Sequence, residues 1–104
     1  MFARVARYEV EPERMNEAVE AFREALTEIE GLEGLKGGSV LTDAQDGVII
    51  SMTLWESRTA MDDSEVKASS LRQQAAKQVD GTVVSVHCLD VVAEIATTAA
   101  PTRA

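Results

Sequence analysis

The residues of this chain that could do chemistry are few, and three of them are the only ones of their type. His87 is the single histidine, and an imidazole can take up or release a proton near neutral pH. Arg4 and Tyr8 lie four residues apart and would share one side of a strand, where arginine can hold an enolate or carboxylate and tyrosine can donate to a developing oxyanion. Trp55 offers a flat ring for stacking on an aromatic molecule. The set suits proton abstraction from a phenol and stabilisation of the resulting anion.

Each of these residues also has an ordinary structural explanation. A lone histidine on a strand is more often a hydrogen-bonded structural residue, and a tryptophan at a strand end can plug one mouth of a barrel. Arg4 and Tyr8 can equally be edge or interface residues that make hydrogen bonds between chains. Both explanations stay open at the level of the sequence.

The elements that must position these residues follow from periodicity, prolines and glycines. Alternating patterns predict strands over residues 2–10, 35–42, 48–55 and 82–95, with a turn at 43–47. Three- and four-residue spacing of apolar residues predicts a first helix beginning at Pro12 and a second over residues 58–79, which Ser57 caps and which breaks near Asp63 and Ser64. This βαββαβ order predicts a ferredoxin-like α+β sandwich, in which two helices cover one face of a four-stranded antiparallel sheet.

Alternation along the strands divides their side chains between the helix-covered and the open face of that sheet. We expect Val48, Ile50, Met52 and Leu54 to face the helices. The open face would carry Trp55 and His87, with a pocket lined by Ile49, Ser51, Thr53 and Ser85. Soluble monomers rarely leave such an apolar surface bare, so a second copy is expected to cover it, giving a homodimer with the pocket between its two sheets.

Composition limits the partners and the compartment. The 104 residues form one domain, predicted to span 1–95 with a flexible tail over 96–104. A net charge of −8 without a basic run argues against nucleic acid and membrane surfaces, and no apolar stretch resembles a membrane span or signal peptide, which predicts a cytoplasmic protein. Cys88 is the only cysteine and is expected to be buried, so no thiolate metal site is predicted. We expect no metal or other cofactor.

Four segments resemble the antibiotic biosynthesis monooxygenase family over residues 2–95. They are Arg-Val-Ala-Arg-Tyr-Glu-Val-Glu-Pro at 4–12, Gly-Leu-Glu-Gly-Leu-Lys-Gly-Gly at 31–38, Ile-Ser-Met-Thr-Leu-Trp-Glu-Ser at 50–57 and Val-Val-Ser-Val-His-Cys-Leu-Asp-Val-Val at 83–92. The resemblance implies a dimeric α+β barrel, and Trp55 matches a tryptophan that lines the substrate cavity in the family. Some members oxidise polyketide phenols with O2 and neither metal nor flavin, whereas another branch degrades heme.

The heme-degrading branch is not matched, because Ala6 stands where that branch has an asparagine and the second helix contains no histidine. The sequence therefore predicts a cofactor-independent monooxygenase that acts on a small aromatic substrate, with His87 as base, Trp55 as stacking wall, and Arg4 or Tyr8 as anion stabiliser. Two alternatives remain. One is a non-catalytic dimeric barrel that binds a small molecule or merely assembles, and the other is an isomerase or lyase using the same pocket.

Overall fold

The computed structural model describes residues 1–95, so the predicted tail at 96–104 lies outside the described residues. Four strands form one antiparallel sheet, and helices pack on one of its faces. The strands are β1 (Phe2–Glu9), β2 (Leu35–Asp43), β3 (Val48–Trp55) and β4 (Thr82–Asp90). The helices are α1 (Met15–Ile29), α2 (Arg58–Asp63) and α3 (Glu65–Gln78).

The strand order is β2-β3-β1-β4, and every neighbouring pair is antiparallel. The predicted ferredoxin-like fold is thereby confirmed. The last strand is shorter than expected, because Asp90 pairs with Phe2 at the start of β1 and only one further backbone bond, from Val91 to Met1, follows it. A strand ends where the neighbouring strand has no further N–H and C=O groups with which it can pair.

The first helix begins later than the sequence pattern indicated. Pro12 opens a single 3-10 turn over Pro12–Arg14, and the α-helix starts at Met15. Its buried side chains lie on the predicted apolar stripe and include Phe22 and Ile29. Arg14 ties the start of this helix to the end of α3, because its Nη1 donates to Asp80 Oδ2 at 2.8 Å.

The second helical segment is broken as predicted. Ser57 caps α2 by accepting a hydrogen bond from the Ala60 amide at 3.0 Å, and Ser64 separates α2 from α3. The side chain of Ser64 does not cap α3. Its Oγ instead donates at 2.6 Å to the Met61 carbonyl oxygen at the end of α2, which also accepts from the Ser64 amide and from Arg4.

The expected assignment of the two sheet faces was wrong. Tyr8, Ile49 and Trp55 are almost fully buried, and Tyr8 and Ile49 share one core cluster with side chains of α1 and α3. The face that carries Ile49, Ser51, Thr53 and Trp55 therefore lies under the helices. The hydroxyls misled the prediction because each has a partner: Ser51 bonds Tyr8, and Thr53 accepts from Trp55. Buried polar groups are tolerated when they are hydrogen-bonded.

The open face mixes apolar side chains with polar ones such as Arg7, Ser39 and His87, which pair with Ile50, Met52 and Val5. It carries the alternate residues of β3 together with their neighbours on the other strands, in the registers Leu41–Ile50, Val5–Met52 and Ala3–Leu54. Leu89 lies beside Ala3 and is 48% exposed. The contribution of β3 to this face differs from the expectation, whereas His87 and Ser85 lie on it as expected.

Candidate functional site

A pocket lies inside the single chain, between the sheet and helices α1 and α3. Its cavity volume is about 50 Å³, and it opens to solvent. Its apolar wall comes mainly from the two helices and is formed by Phe22, Ala25, Leu26, Ile29, Ala68 and Leu71. Its polar side chains are Arg4, Tyr8, Ser51, Thr53 and Arg72. An apolar pocket with a few convergent polar groups is the usual form of a small-molecule site.

Arg4 reaches from the centre of β1 to the break between α2 and α3. Its Nη2 donates to the Met61 carbonyl oxygen at 2.6 Å and to Ser64 Oγ at 3.1 Å. Its guanidinium also lies 5.7 Å from the ring centroid of Trp55, which is a cation–π distance. Arg4 is only 4% exposed, so its charge acts within the protein.

Glu65 connects Arg4 to a second buried arginine. Arg72 Nη2 donates to Glu65 Oε2 at 3.0 Å, and Arg4 Nε lies 3.0 Å from Glu65 Oε1. The second contact is within ion-pair distance, but its alignment falls short of a hydrogen bond, and Arg72 Nε also lacks a hydrogen-bond partner. Two guanidinium groups therefore share one carboxylate at the edge of the pocket.

Tyr8 supplies the pocket's only ionisable hydroxyl among the described residues. Its hydroxyl lies 2.9 Å from Ser51 Oγ, and its ring packs against Phe22 with centroids 4.3 Å apart. Burial raises the pKa of Tyr8, while the Ser51 hydrogen bond and the charges of Arg72 and Arg4 oppose that rise. The phenol thus stays protonated near neutral pH and can donate a hydrogen bond.

Trp55 lies next to this site, on the helix-covered face of the sheet. Its Nε1–H donates to Thr53 Oγ1 at 2.9 Å, and the ring is fully buried. That bond orients Thr53, which lines the pocket, whereas the Trp55 ring does not line it. The tryptophan therefore helps to hold Thr53 and Arg4 in position through this hydrogen bond and the cation–π contact.

The other sequence candidates lie elsewhere. Ile49 is fully buried in the core, and Val5 pairs with His87 while Arg7 pairs with Ser85. Since Arg4 and Tyr8 point under the helices, Val5, Arg7 and their partners point to the opposite side. The expectation that His87 shares a face with Trp55 was wrong, because His87 pairs with Val5 and Trp55 pairs with Phe2, and these two residues point to opposite faces of β1. Cys88, expected to be buried, is exposed.

Arg72 and Glu65 were missed by the sequence reasoning, although a signal was present. In the sequence, the apolar residues Ala68, Leu71 and Ala75 define the stripe of the second predicted helix, yet the buried residues of α3 include Ala68, Arg72 and Ala75. A charged residue four positions after one buried alanine and three before another lies on the buried stripe. Such a residue needs a partner, and Glu65 provides it.

Among residues 1–95, no three His, Cys, Asp or Glu side chains are grouped to hold a metal ion. Nor does any helix of the described part have both the length and the apolar character required to cross a bilayer.

The fold and the pocket define a small α+β protein with a small, solvent-open pocket between sheet and helices. The sequence model of the antibiotic biosynthesis monooxygenase family matches residues 1–78. The chain therefore belongs to this family. No curated protein matches it by sequence.

Solved structures show the same fold at low sequence identity. A Deinococcus radiodurans protein, provisionally named an antibiotic biosynthesis monooxygenase, is 14% identical with a TM-score of 0.76, over 95% of this chain and 100% of that one. Rv0793 from Mycobacterium tuberculosis is 18% identical with a TM-score of 0.71, over 91% and 98%. A structure described as an antibiotic biosynthesis monooxygenase is 21% identical with a TM-score of 0.65, over 89% and 100%.

Proposed function

We propose that this protein is a cofactor-independent monooxygenase that binds the ionised form of a small phenol or enol in the pocket between sheet and helices. The observation that carries the proposal is the presence of two buried guanidinium groups, Arg4 and Arg72, beside the neutral phenol of Tyr8. Positive charge and a hydrogen-bond donor stabilise an oxyanion, and both are most effective in a site that excludes water.

Ionisation of the substrate is the step that this site favours. An electron-rich phenolate or enolate reacts with O2, whereas the neutral ring reacts poorly. The two arginines lower the pKa of a bound phenol, because an opposite charge stabilises its ionised form, and Tyr8 donates to the same oxygen. The apolar side chains of α1 hold the ring in place.

The overall reaction balances without a further reductant. For an anthrone-type substrate, ionisation releases one proton of the ring methylene to solvent, and this carbon, now part of the conjugated enolate, is then oxidised to a carbonyl. One atom of O2 becomes the new carbonyl oxygen, and the other leaves as water with the two hydrogens of that carbon. The substrate carbon supplies all four electrons.

The proposal assigns no step to His87, because that side chain lies on the open face of the sheet. A base role for His87 would require that the reaction take place at the open face, between the sheets of two subunits. The variant His87→Ala distinguishes the two locations. Turnover within about twofold of wild type supports the pocket described above, whereas a loss of about 10²-fold would place the chemistry at the open face.

The proposal includes a homodimer closed through that open face, in agreement with the barrel that the family resemblance implies. The exposed side chains of Leu41 and Leu89 and the half-buried ones of Ile50, Met52 and Leu54 support it, since monomers seldom leave such apolar groups open to water. The exposed thiol of Cys88 suits a reducing compartment, and we infer a cytoplasmic location. Light scattering of the wild-type protein gives the mass in solution.

Oxygen uptake with an anthrone tests the activity directly. We expect consumption of one O2 for each carbonyl formed, at a rate above that of buffer, and a decrease of about 10²-fold in Arg72→Gln. Glu20→Gln, on the exposed face of α1, is the matched control. A rate equal to buffer despite tight binding of the anthrone would show that the chain is a non-catalytic binding protein, which is the alternative function.

A further inference from the structure

Glu65 occupies an unusual position between the pocket's two arginines. One of its carboxylate oxygens bonds Arg72 at 3.0 Å and the other lies 3.0 Å from Arg4 Nε. The two arginine side chains are 5% and 8% exposed, whereas the Glu65 side chain is 45% exposed. The cations are therefore enclosed, and their shared carboxylate is partly in water.

The side chains of Arg4, Arg72 and Glu65 together carry one net positive charge. Two guanidinium groups and one carboxylate give 2 − 1 = +1, in a chain whose overall charge is −8. Charges in an enclosed site are screened less than those at the surface, so this single positive charge dominates the local field. A ligand with one negative charge neutralises the pocket, whereas a second negative charge would face Glu65 without compensation.

The hydrogen bonds leave room for such a ligand. Arg72 Nε is buried and has no hydrogen-bond partner, although Arg72 lines the pocket and is 92% buried as a residue. An unpaired donor of a buried charged group is costly, and an anion in the pocket would satisfy it.

We propose that Glu65 determines the charge selectivity of the pocket: by bridging Arg4 and Arg72 it holds both cations in place and leaves one net positive charge, so that the site selects aromatic monoanions over neutral and dianionic analogues. Glu65 acts through the two arginines and is a positioning and specificity residue. The inference rests on the proposed function for the identity of the pocket, and it adds the charge class of the substrate.

Three naphthalene probes that differ in charge test this inference. They are 2-naphthamide, 2-naphthoate and naphthalene-2,3-dicarboxylate, with charges of about 0, −1 and −2 near pH 8. Their dissociation constants are measured by calorimetry at low salt, where charge effects are largest. The variants are Arg72→Gln, with a formal pocket charge of 0, and Glu65→Gln, with a charge of +2. Glu20→Gln is the control, because it removes a carboxylate from the exposed face of α1.

The readout is the ratio of affinities, which a purely structural role would not change. In wild type and in Glu20→Gln, 2-naphthoate should bind most tightly of the three probes. Glu65→Gln should shift the preference by about tenfold toward the dicarboxylate, and Arg72→Gln should remove the preference for 2-naphthoate over the amide. Circular dichroism establishes that each variant is folded.

Equal weakening of all three probes in Glu65→Gln would overturn the inference and leave Glu65 as a structural clamp. If Glu65→Gln does not fold, wild type and Arg72→Gln decide: a dicarboxylate that binds wild type as tightly as 2-naphthoate overturns it. Binding requires no turnover, so the two proposals fail separately. Charge selectivity without oxygen uptake would disprove only the proposed monooxygenase activity. Oxygen uptake without charge selectivity would disprove only the proposed role of Glu65.

Discussion

The hydroxyl groups of Tyr8 and Ser51 lie 2.9 Å apart across β1 and β3, at the base of the pocket between sheet and helices. Either hydroxyl can donate, so the pair can change its direction when a ligand arrives. Burial raises the pKa of Tyr8, and Ser51, Arg72 and Arg4 limit that rise. The state of this hydroxyl decides whether the site donates a hydrogen bond to an oxyanion or repels it.

The ionisation of Tyr8 can be followed directly, because the chain contains no other tyrosine. Absorbance near 295 nm should give a midpoint above about 10 in the folded protein and close to 10 in urea. Since the folded pKa is the higher one, the associated stability is complete below the unfolded pKa and is lost as pH rises through the folded pKa. Tyr8→Phe should lack this part of the alkaline loss of stability. A folded midpoint at or below 10 would contradict the prediction.

Ser51→Ala removes the partner of the Tyr8 hydroxyl. Because the Ser51 hydrogen bond lowers the pKa of Tyr8, its loss should raise that pKa further and reduce the free energy of unfolding by about 1 kcal/mol. The same absorbance titration and urea unfolding measure both effects. Ser85→Ala is the control, since Ser85 lies on the other side of the sheet and should leave the Tyr8 pKa unchanged. An effect of equal size in both variants would count against the described geometry.

Arg4→Gln tests the contacts between β1 and the α2–α3 break. The change leaves Glu65 with one arginine and removes the guanidinium from Met61 and Ser64, so we expect a loss of about 3 kcal/mol in the free energy of unfolding. Arg58→Gln is the control, because Arg58 is exposed on α2 and pairs with the exposed Asp62, and its effect should stay within about 0.5 kcal/mol. Comparable losses in urea unfolding would show that Arg4 is not held as described.

Gly47→Ala tests the turn between β2 and β3. Gly47 has a φ of +69°, and an added Cβ would press on the Val10 carbonyl oxygen. Strain and collision together should cost about 2 kcal/mol or more. Gly37→Ala is the control, because no atom lies within 4 Å of the position that its new methyl group would take and its φ is not in the left-handed region. Its melting temperature should remain close to that of wild type, whereas that of Gly47→Ala should fall.

Much of the fold could be predicted from the sequence because its signals are local. The bounds of β3, the break between α2 and α3, the Ser57 cap and the turn at Gly47 each depend on neighbouring residues. Alternation also showed correctly that Ser51, Thr53 and Trp55 share a face, and that Arg4 and Tyr8 do. Periods of two and 3.6 residues are properties of the backbone, and they survive in any tertiary context.

The choice of which face lies under the helices was decided only by the tertiary structure. Ser51 and Thr53 were expected on the open face, but they lie under the helices, where Tyr8 and Trp55 satisfy their hydroxyls. Likewise, the burial of Arg72 depends on Glu65, which also contacts Arg4. The cost of burying a polar group depends on its partner, and here the partners come from distant elements that only the folded chain brings together.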